Sequence, residues 1–338
     1  MTVTNVLRRG LAAAAVSATG LAVIAGAALC SAGPAAAKAA PAARPAALHT
    51  GGSVSLGALG SSFNYDFSEA PNGSVYYSRG STVFVVHGTS APAVVLHASG
   101  HVFAVAANRT ELFVDVGRTV TGYKLSTHKV LRHWALASAN KPTSAGLFAV
   151  GSTVWASTDW ATDESGLEPA NVSRFRTSSG TVHKVSANNA FPGDMDADST
   201  GLYYQQMIGK GRLTHVSPSG SVHRVLDINL EAPLALAGGR VETLAFHRNS
   251  HLYLDSYSAS TLARKFSKRF STNDYDIAGT GAGLLMLSTS GKISQLSAST
   301  GSVLSAVTVP DAATLVPGHS AAVIVVTGGI YSLVRLAG

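Results

Sequence analysis

The residues in this chain best able to do chemistry are carboxylates. Asp66, Asp194, Asp196, Asp198, Asp274, Asp276 and Asp311 stand at or beside short β-prone runs. Brought to one point, Asp66, Asp194, Asp196, Asp274 and Asp276 could hold Ca²⁺ or Mg²⁺ through oxygen ligands. A plainer reading outweighs this one: Asp at a strand start commonly bonds the backbone of a turn, and Asp194-Met195-Asp196-Ala197-Asp198 alternates as a strand with one polar face does. A second acidic group, Asp159, Asp163, Glu164 and Glu168, shares the stretch 159–171 with Trp160 and Asn171. That mixture suits a ligand-binding loop. His183, His215 and His223 could serve as a general acid or base, although His at a half-exposed strand position is usually structural. Trp155 alternates with Val154 and belongs to a core, whereas Trp160 could be core or a stacking platform for a ligand.

Short enzyme signatures are missing. The chain has no P-loop, no G-x-G-x-x-G after a strand, no H-E-x-x-H, no G-x-S-x-G and no C-x-x-C, so any active site must be assembled from distant segments.

The N-terminus carries a different kind of information. Arg8 and Arg9 precede an apolar stretch from Leu11 to Leu29, and Ala35-Ala36-Ala37 follows as an A-x-A cleavage pattern. This is a secretory signal covering residues 1–37, with export by the Sec or Tat route. Cys30 would suit lipid attachment only if a small residue preceded it, and Leu29 does not. An uncleaved anchor is the third alternative, since the apolar stretch could barely span a bilayer. Cys30 is the sole cysteine. Cleavage removes it, so the mature protein has neither disulfide nor thiol chemistry and no stable membrane span. Removing Arg8 and Arg9 also lowers the formal charge from +7 to +5. Arg264, Lys265, Lys268 and Arg269 form the only dense basic group, which excludes nucleic acid as the expected partner.

Residues 38–50 are Pro/Ala-rich and read as a linker. From residue 51 to 338, runs of four to seven β-prone residues recur between turn residues, with no sustained helical period. Turns align at Thr177-Ser178-Ser179-Gly180, Ser217-Pro218-Ser219-Gly220 and Ser297-Ala298-Ser299-Thr300-Gly301. Gly180 and Gly220 are one period apart, and Gly301 lies two further on, with a degenerate member around Ser258-Ala259-Ser260. A period near 40 with four short strands per unit predicts an all-β, seven-bladed β-propeller of four-stranded antiparallel blades. Innermost strands are expected near Phe63 to Phe67, Val102 to Val105, Leu147 to Val150, Met195 to Asp198, Leu234 to Leu236, Tyr275 to Ala278 and Ala313 to Val316. The seventh unit stops one strand short, so Ser53 to Leu56 is expected to supply its outer strand and remove the exposed edge.

YKLSTHKVLRHWAL at 123–136 and QLSASTGSVLSAVTV at 295–309 resemble the YVTN-type and quinoprotein-like propeller repeats of bacterial exported proteins. The turns at Ser219-Gly220-Ser221-Val222 and Ser179-Gly180-Thr181-Val182 are similar to those of lyase-like and NHL-like propellers. The resemblance implies a fold, and by itself no function. Lactonase-like propellers hold calcium with converging carboxylates, which is what the inner-strand Asp residues would imply here.

Two functions follow as expectations, beside a third class, a structural protein retained in the cell envelope. The leading one is a secreted binding or interaction module without catalysis, monomeric, its ligand a protein or carbohydrate and its ligand-face loop built on Asp159, Trp160, Asp163, Glu164, Glu168 and Asn171. The alternative is a Ca²⁺- or Mg²⁺-dependent hydrolase or lyase. Ca²⁺ is the one cofactor the sequence admits. Export with cleavage after Ala37 predicts that N-terminal sequencing of the protein recovered outside the cytoplasm begins at Lys38; a start at Cys30 would indicate lipidation instead.

Overall fold

The computed structural model describes residues 47–58, 67–117, 119–136, 142–160, 171–185, 192–206, 211–228, 233–247, 251–271, 273–281, 283–318 and 320–337. None of these is helical, and no helix among them is long and apolar enough to cross a membrane. They form seven four-stranded antiparallel sheets, the blades of a propeller.

Blade 1 comprises Phe67–Glu69, Val75–Arg79, Thr82–Val86 and Ala93–His97, from the inner strand outward. Blade 2 comprises Ala104–Ala107, Glu111–Asp115, Thr119–Lys124 and Val130–Ala135. Blade 3 has Pro142–Val150, Thr153–Trp160, Asn171–Arg176 and Val182–Val185, and blade 4 has Pro192–Asp198, Gly201–Gln206, Arg212–Val216 and Val222–Asp227. Blade 5 is built from Leu234–Ala237, Arg240–Phe246, Leu252–Ser258 and Arg264–Arg269. Blade 6 uses Asp274–Thr280, Gly283–Ser288, Lys292–Leu296 and Val303–Thr308. Blade 7 takes its three inner strands, Ala312–Val316, Ala321–Thr327 and Ile330–Ala337, from the C-terminus and its outer strand, His49–Ala58, from the N-terminus.

The expected count and closing strand are therefore present. The closing strand is longer than Ser53 to Leu56 and pairs with Ile330–Ala337 from His49↔Ala337 to Ala58↔Ile330, with irregularities after Thr50 and Ser55. Blade 2 starts at Ala104 instead of Val102, because Val102 is buried ahead of its inner strand and donates its N–H to Gly80. Of the strand expected over Phe63 to Phe67, residues 63–66 lie outside the described residues.

Strand residues point alternately to the two faces of a sheet. In this ring both faces of a blade meet another blade, so middle strands are buried along nearly their whole length. Glu111–Asp115 and Gly283–Ser288 are buried at every position but the first. Seven apolar clusters result, one in each interface between neighbours. Leu56, Phe67, Tyr77, Val316, Ile324 and Leu333, for example, join blade 7 to blade 1, and Trp134, Phe113, Val154 and Phe175 join blades 2 and 3. Trp155 sits in the interface of blades 3 and 4, as its alternation with Val154 implies.

Two glycines let inner strands approach unusually closely. A Cβ on Gly279 would lie 1.8 Å from the carbonyl oxygen of Leu236 in blade 5. Gly318, with φ of 148°, exchanges backbone hydrogen bonds with Gly279 and Gly281 of blade 6, and a Cβ there would meet Glu69 of blade 1.

The seam between the last and first blades carries a buried ion pair. The fully buried Glu69 carboxylate stands 3.2 Å from the Arg335 guanidinium and accepts from the Ser320 N–H at 2.6 Å and from its hydroxyl. Arg335 also donates to the Gly73 carbonyl at 2.8 Å. Removing one partner of a buried pair leaves an uncompensated charge, at a cost of about 3–5 kcal/mol. Glu69→Leu is accordingly expected to destabilise by that amount in urea unfolding, and the double variant Glu69→Leu/Arg335→Met to recover most of it; additive losses would show that the pair is not coupled.

Candidate functional site

Strand direction divides the loops between two faces. Turns from first to second and from third to fourth strands open on one face; second-to-third turns and the connections to the next blade open on the other. The first face is stitched from blade to blade. Asn108 donates to the Gly151 carbonyl at 2.8 Å, the Trp134 indole N–H to Ser179 at 2.6 Å, the Arg174 guanidinium to Pro218 at 2.7 Å and the Tyr203 hydroxyl to Ala259 at 2.8 Å. Three of these acceptors lie in the small polar turns that define the sequence repeat. Side chains of one blade thus fix the turns of the next, which makes this face a rigid floor.

The inner-strand carboxylates have a related use. Asp196 of blade 4 accepts the Leu236 N–H of blade 5 at 2.8 Å. Asp276 of blade 6 accepts the Leu315 N–H of blade 7 at 2.8 Å and the Thr314 hydroxyl at 3.0 Å. In blade 1, Ser68 accepts the Ala107 N–H of blade 2 at 3.1 Å. These are latches between neighbouring inner strands. Asp198 takes the plainer part foreseen for it, accepting the Thr200 N–H at 2.7 Å within its own turn, and Asp311 accepts the Thr327 hydroxyl at 2.9 Å. Burial pushes the Asp276 carboxyl up to about 6 against the pull of its hydrogen bonds, and burial also raises Asp274, with Lys292 opposing. Asp66 lies outside the described residues, as does the side chain of Asp194. Among the described residues, no three His, Cys, Asp or Glu side chains stand together as a metal site would require.

The opposite face is uneven. Blade 3 has the longest inner pair, whose register runs from Val150↔Thr153 out to Pro142↔Trp160 and places Asp159 opposite Ser144. Asn171 pairs with Thr158 where the third strand begins. The connection 161–170, with Asp163, Glu164 and Glu168, lies outside the described residues, as do the side chains of Asp159, Trp160 and Asn171. Blades 4 and 5 join their second and third strands through 207–211 and 247–251, whereas blades 1 and 7 need only Gly80-Ser81 and Gly328-Gly329. Of the seven second-to-third connections, those of blades 3 to 5 are therefore the longest.

One polar side-chain pair on this side is invisible in the linear sequence. At the end of the second strand of blade 5, His247 Nε2 lies 2.9 Å from Asp255 Oδ2, and its ring stacks on Tyr253 with centroids 4.0 Å apart. Antiparallel pairing puts the two residues on the same sheet face, a relation that odd-numbered positions across a short turn could have signalled. The three expected histidines do not gather into such a site. His215 is buried, stacks on Tyr203 at 4.4 Å, lies 3.0 Å from the Thr200 carbonyl and meets the exposed His223 edge-on. His183 is exposed opposite Arg174.

The Asp276 latch has a definite pH signature. Its carboxyl binds a proton more tightly folded than unfolded, so between the ordinary range near 4 and about 6 the folded state holds the extra proton. The contribution of this group to stability therefore falls as pH rises through that window and is constant above it. The stability difference between wild type and Asp276→Asn, from urea unfolding, is expected to shift against the wild type from pH 4 to 6.5; a pH-independent difference would exclude the raised carboxyl.

No family model matches the chain, and no curated protein does. Solved structures do match in fold. The Pan2 WD40 domain of Neurospora crassa superposes with a TM-score of 0.61 at 9% identity, over 86% of this chain and 95% of that one. A chain of the mitotic checkpoint complex gives 0.60 at 12%, over 89% and 96%, and BamB from Moraxella catarrhalis gives 0.52 at 11%, over 85% and 99%. At such identities the likeness shows a β-propeller fold and nothing finer.

Proposed function

We propose that this protein is an exported, non-catalytic binding module whose ligand face is the one bearing the connections 161–170, 207–211 and 247–251. The observation that carries the reading is the contrast between the two faces. On one, side chains of blades 2 to 4 hold turns of blades 3 to 5; on the other, the second-to-third connections of blades 3 to 5 are the longest of the seven. A rigid scaffold that presents variable loops on one side is how binding surfaces are generally built. Asp159, Trp160, Asp163, Glu164, Glu168 and Asn171 supply carboxylates, an aromatic and an amide there, which suits a protein or carbohydrate ligand. The signal at residues 1–37 supports export. The engagement of Asp196 and Asp276 as inter-blade latches accounts for these two inner-strand acids without a metal.

Replacing residues 161–170 with Asn-Gly is expected to leave the thermal melting temperature within a few degrees of wild type and to abolish binding to whichever members of a peptide and glycan array the wild type captures. Unchanged binding would remove blade 3 from the ligand face. Melting in EDTA and in excess calcium separates the enzyme alternative, because a metal that binds the native state raises its stability. No calcium shift is expected.

A further inference from the structure

The outer strand of blade 5 is unlike every other edge of the ring. It reads Arg264-Lys265-Phe266-Ser267-Lys268-Arg269, four cations in six residues, with Arg264, Lys265 and Arg269 exposed and Lys268 half-buried. Among the described residues none of the four forms an ion pair. Asp255, the acid on the adjoining strand, is buried and held by His247. Lys268 rests over the Phe270 ring at 5.6 Å, and Arg240 lies over Phe266 at 5.8 Å.

Charged edge strands often serve to repel unwanted strand pairing. Here that task has another solution. The outer strands of blades 1, 2, 4, 5 and 6 all carry a register irregularity near their starts, leaving Val95, Leu131, His223, Lys265 and Leu304 unpaired; such bulges twist an edge away from partners. Moreover, the edges with most need of charge have none. Ala93–His97 and Val303–Thr308 lack Lys and Arg while exposing Val94, Val303 and Leu304. Protection against aggregation therefore does not explain why the cations gather on blade 5.

Their arrangement suits recognition of another chain. From Phe266 to Arg269 the strand is in regular register with Tyr253 to Ser256, and it is the last strand of its sheet, so its other edge presents backbone donors and acceptors. Alternation puts Lys268 with Phe266 on the side facing blade 6 and Arg269 with Ser267 on the other. Cations thus flank the open edge on both faces. A flat anionic surface would meet one face only, whereas an extended acidic chain lying along the edge meets both and completes the backbone hydrogen bonds.

We propose that blade 5 docks an acidic, extended segment of a partner protein along Arg264–Arg269, as a strand added to the regular stretch Phe266–Arg269 beyond the Lys265 bulge, with carboxylate pairs separated by two residues to match the two cation pairs. This surface is on the rim and does not rest on the loop face proposed above.

The test is fluorescence anisotropy of the full mature chain with labelled EEVTEE peptide at low salt, beside KKVTKK, the proline-interrupted EEVPEE and phosphatidylserine vesicles. EEVTEE is expected to bind and to lose affinity as salt screens the charges. Lys268→Glu/Arg269→Glu is expected to bind it about tenfold more weakly, the effect of several exposed charge pairs reversed together, with unchanged melting. Should that variant fail to fold, Lys268→Gln/Arg269→Gln serves the same comparison with a smaller loss expected. Absence of EEVTEE binding, equal binding by either variant, equal binding by KKVTKK, or vesicle binding in place of peptide binding overturns the proposal. Equal binding by EEVPEE overturns the added strand.

Discussion

Each blade of this protein is buried on both faces, and that single constraint governs the rest. A four-stranded sheet with Leu284, Leu285, Met286 and Leu287 buried in succession cannot keep one side in water, so it is stable only between two neighbours. Seven blades meet this requirement only if the seventh meets the first. Glu69 makes the condition chemical as well as steric. A carboxylate with no exposure needs a counter-charge, and Arg335, 266 residues away, reaches it only in the closed ring. Buried ion pairs are poor sources of net stability; this one distinguishes the closed arrangement from any in which the seam is slipped or open.

The same constraint shapes what the surface can do. Turns of blades 3 to 5 on one face serve as hydrogen-bond acceptors for the preceding blade, so they have little freedom to vary. Two acids of the inner strands, Asp196 and Asp276, are likewise spent in holding the next strand. The surfaces proposed for recognition are the opposite face, where Thr153–Trp160 runs to the end of an extended pair, and the outer rim, where charge is concentrated on one blade.

Much of the architecture is legible in the sequence because its marks are local. Serine- and glycine-containing turns recur at a fixed period, and a seventh unit lacking a strand points to the segment ahead of the first. The less legible features are those whose partner has no side-chain identity. Asp196 and Asp276 can be seen to recur, but what they bind is a backbone N–H in the next repeat, and any residue there would supply it. Metal binding and turn bonding both fit that recurrence, and the observed partners, Leu236 and Leu315, are in neither scheme. The Glu69–Arg335 pair joins opposite ends of the chain, and no period connects them. His247 and Asp255 need the strand register before they become neighbours.

Apart from those to the N-terminal strand and across the closing seam, the inter-blade side-chain hydrogen bonds run in one sense. Asn108, Trp134, Arg174, Tyr203, Asp196, Asp276 and Tyr275 each use a side chain to hold backbone that comes later in the chain, in the next blade. A chain emerging from its N-terminus therefore presents each blade with its bonding groups in place before the backbone they will hold has arrived. Assembly can proceed in order, every step closing a loop of similar short length. Only the last is different. Joining Arg335 to Gly73 spans 262 residues, yet the entropy of closing a loop grows only with the logarithm of its length, adding roughly 1.5–2 kcal/mol over a single-repeat closure. The outer strand of the seventh blade, first to be made, is thus among the last to find its place.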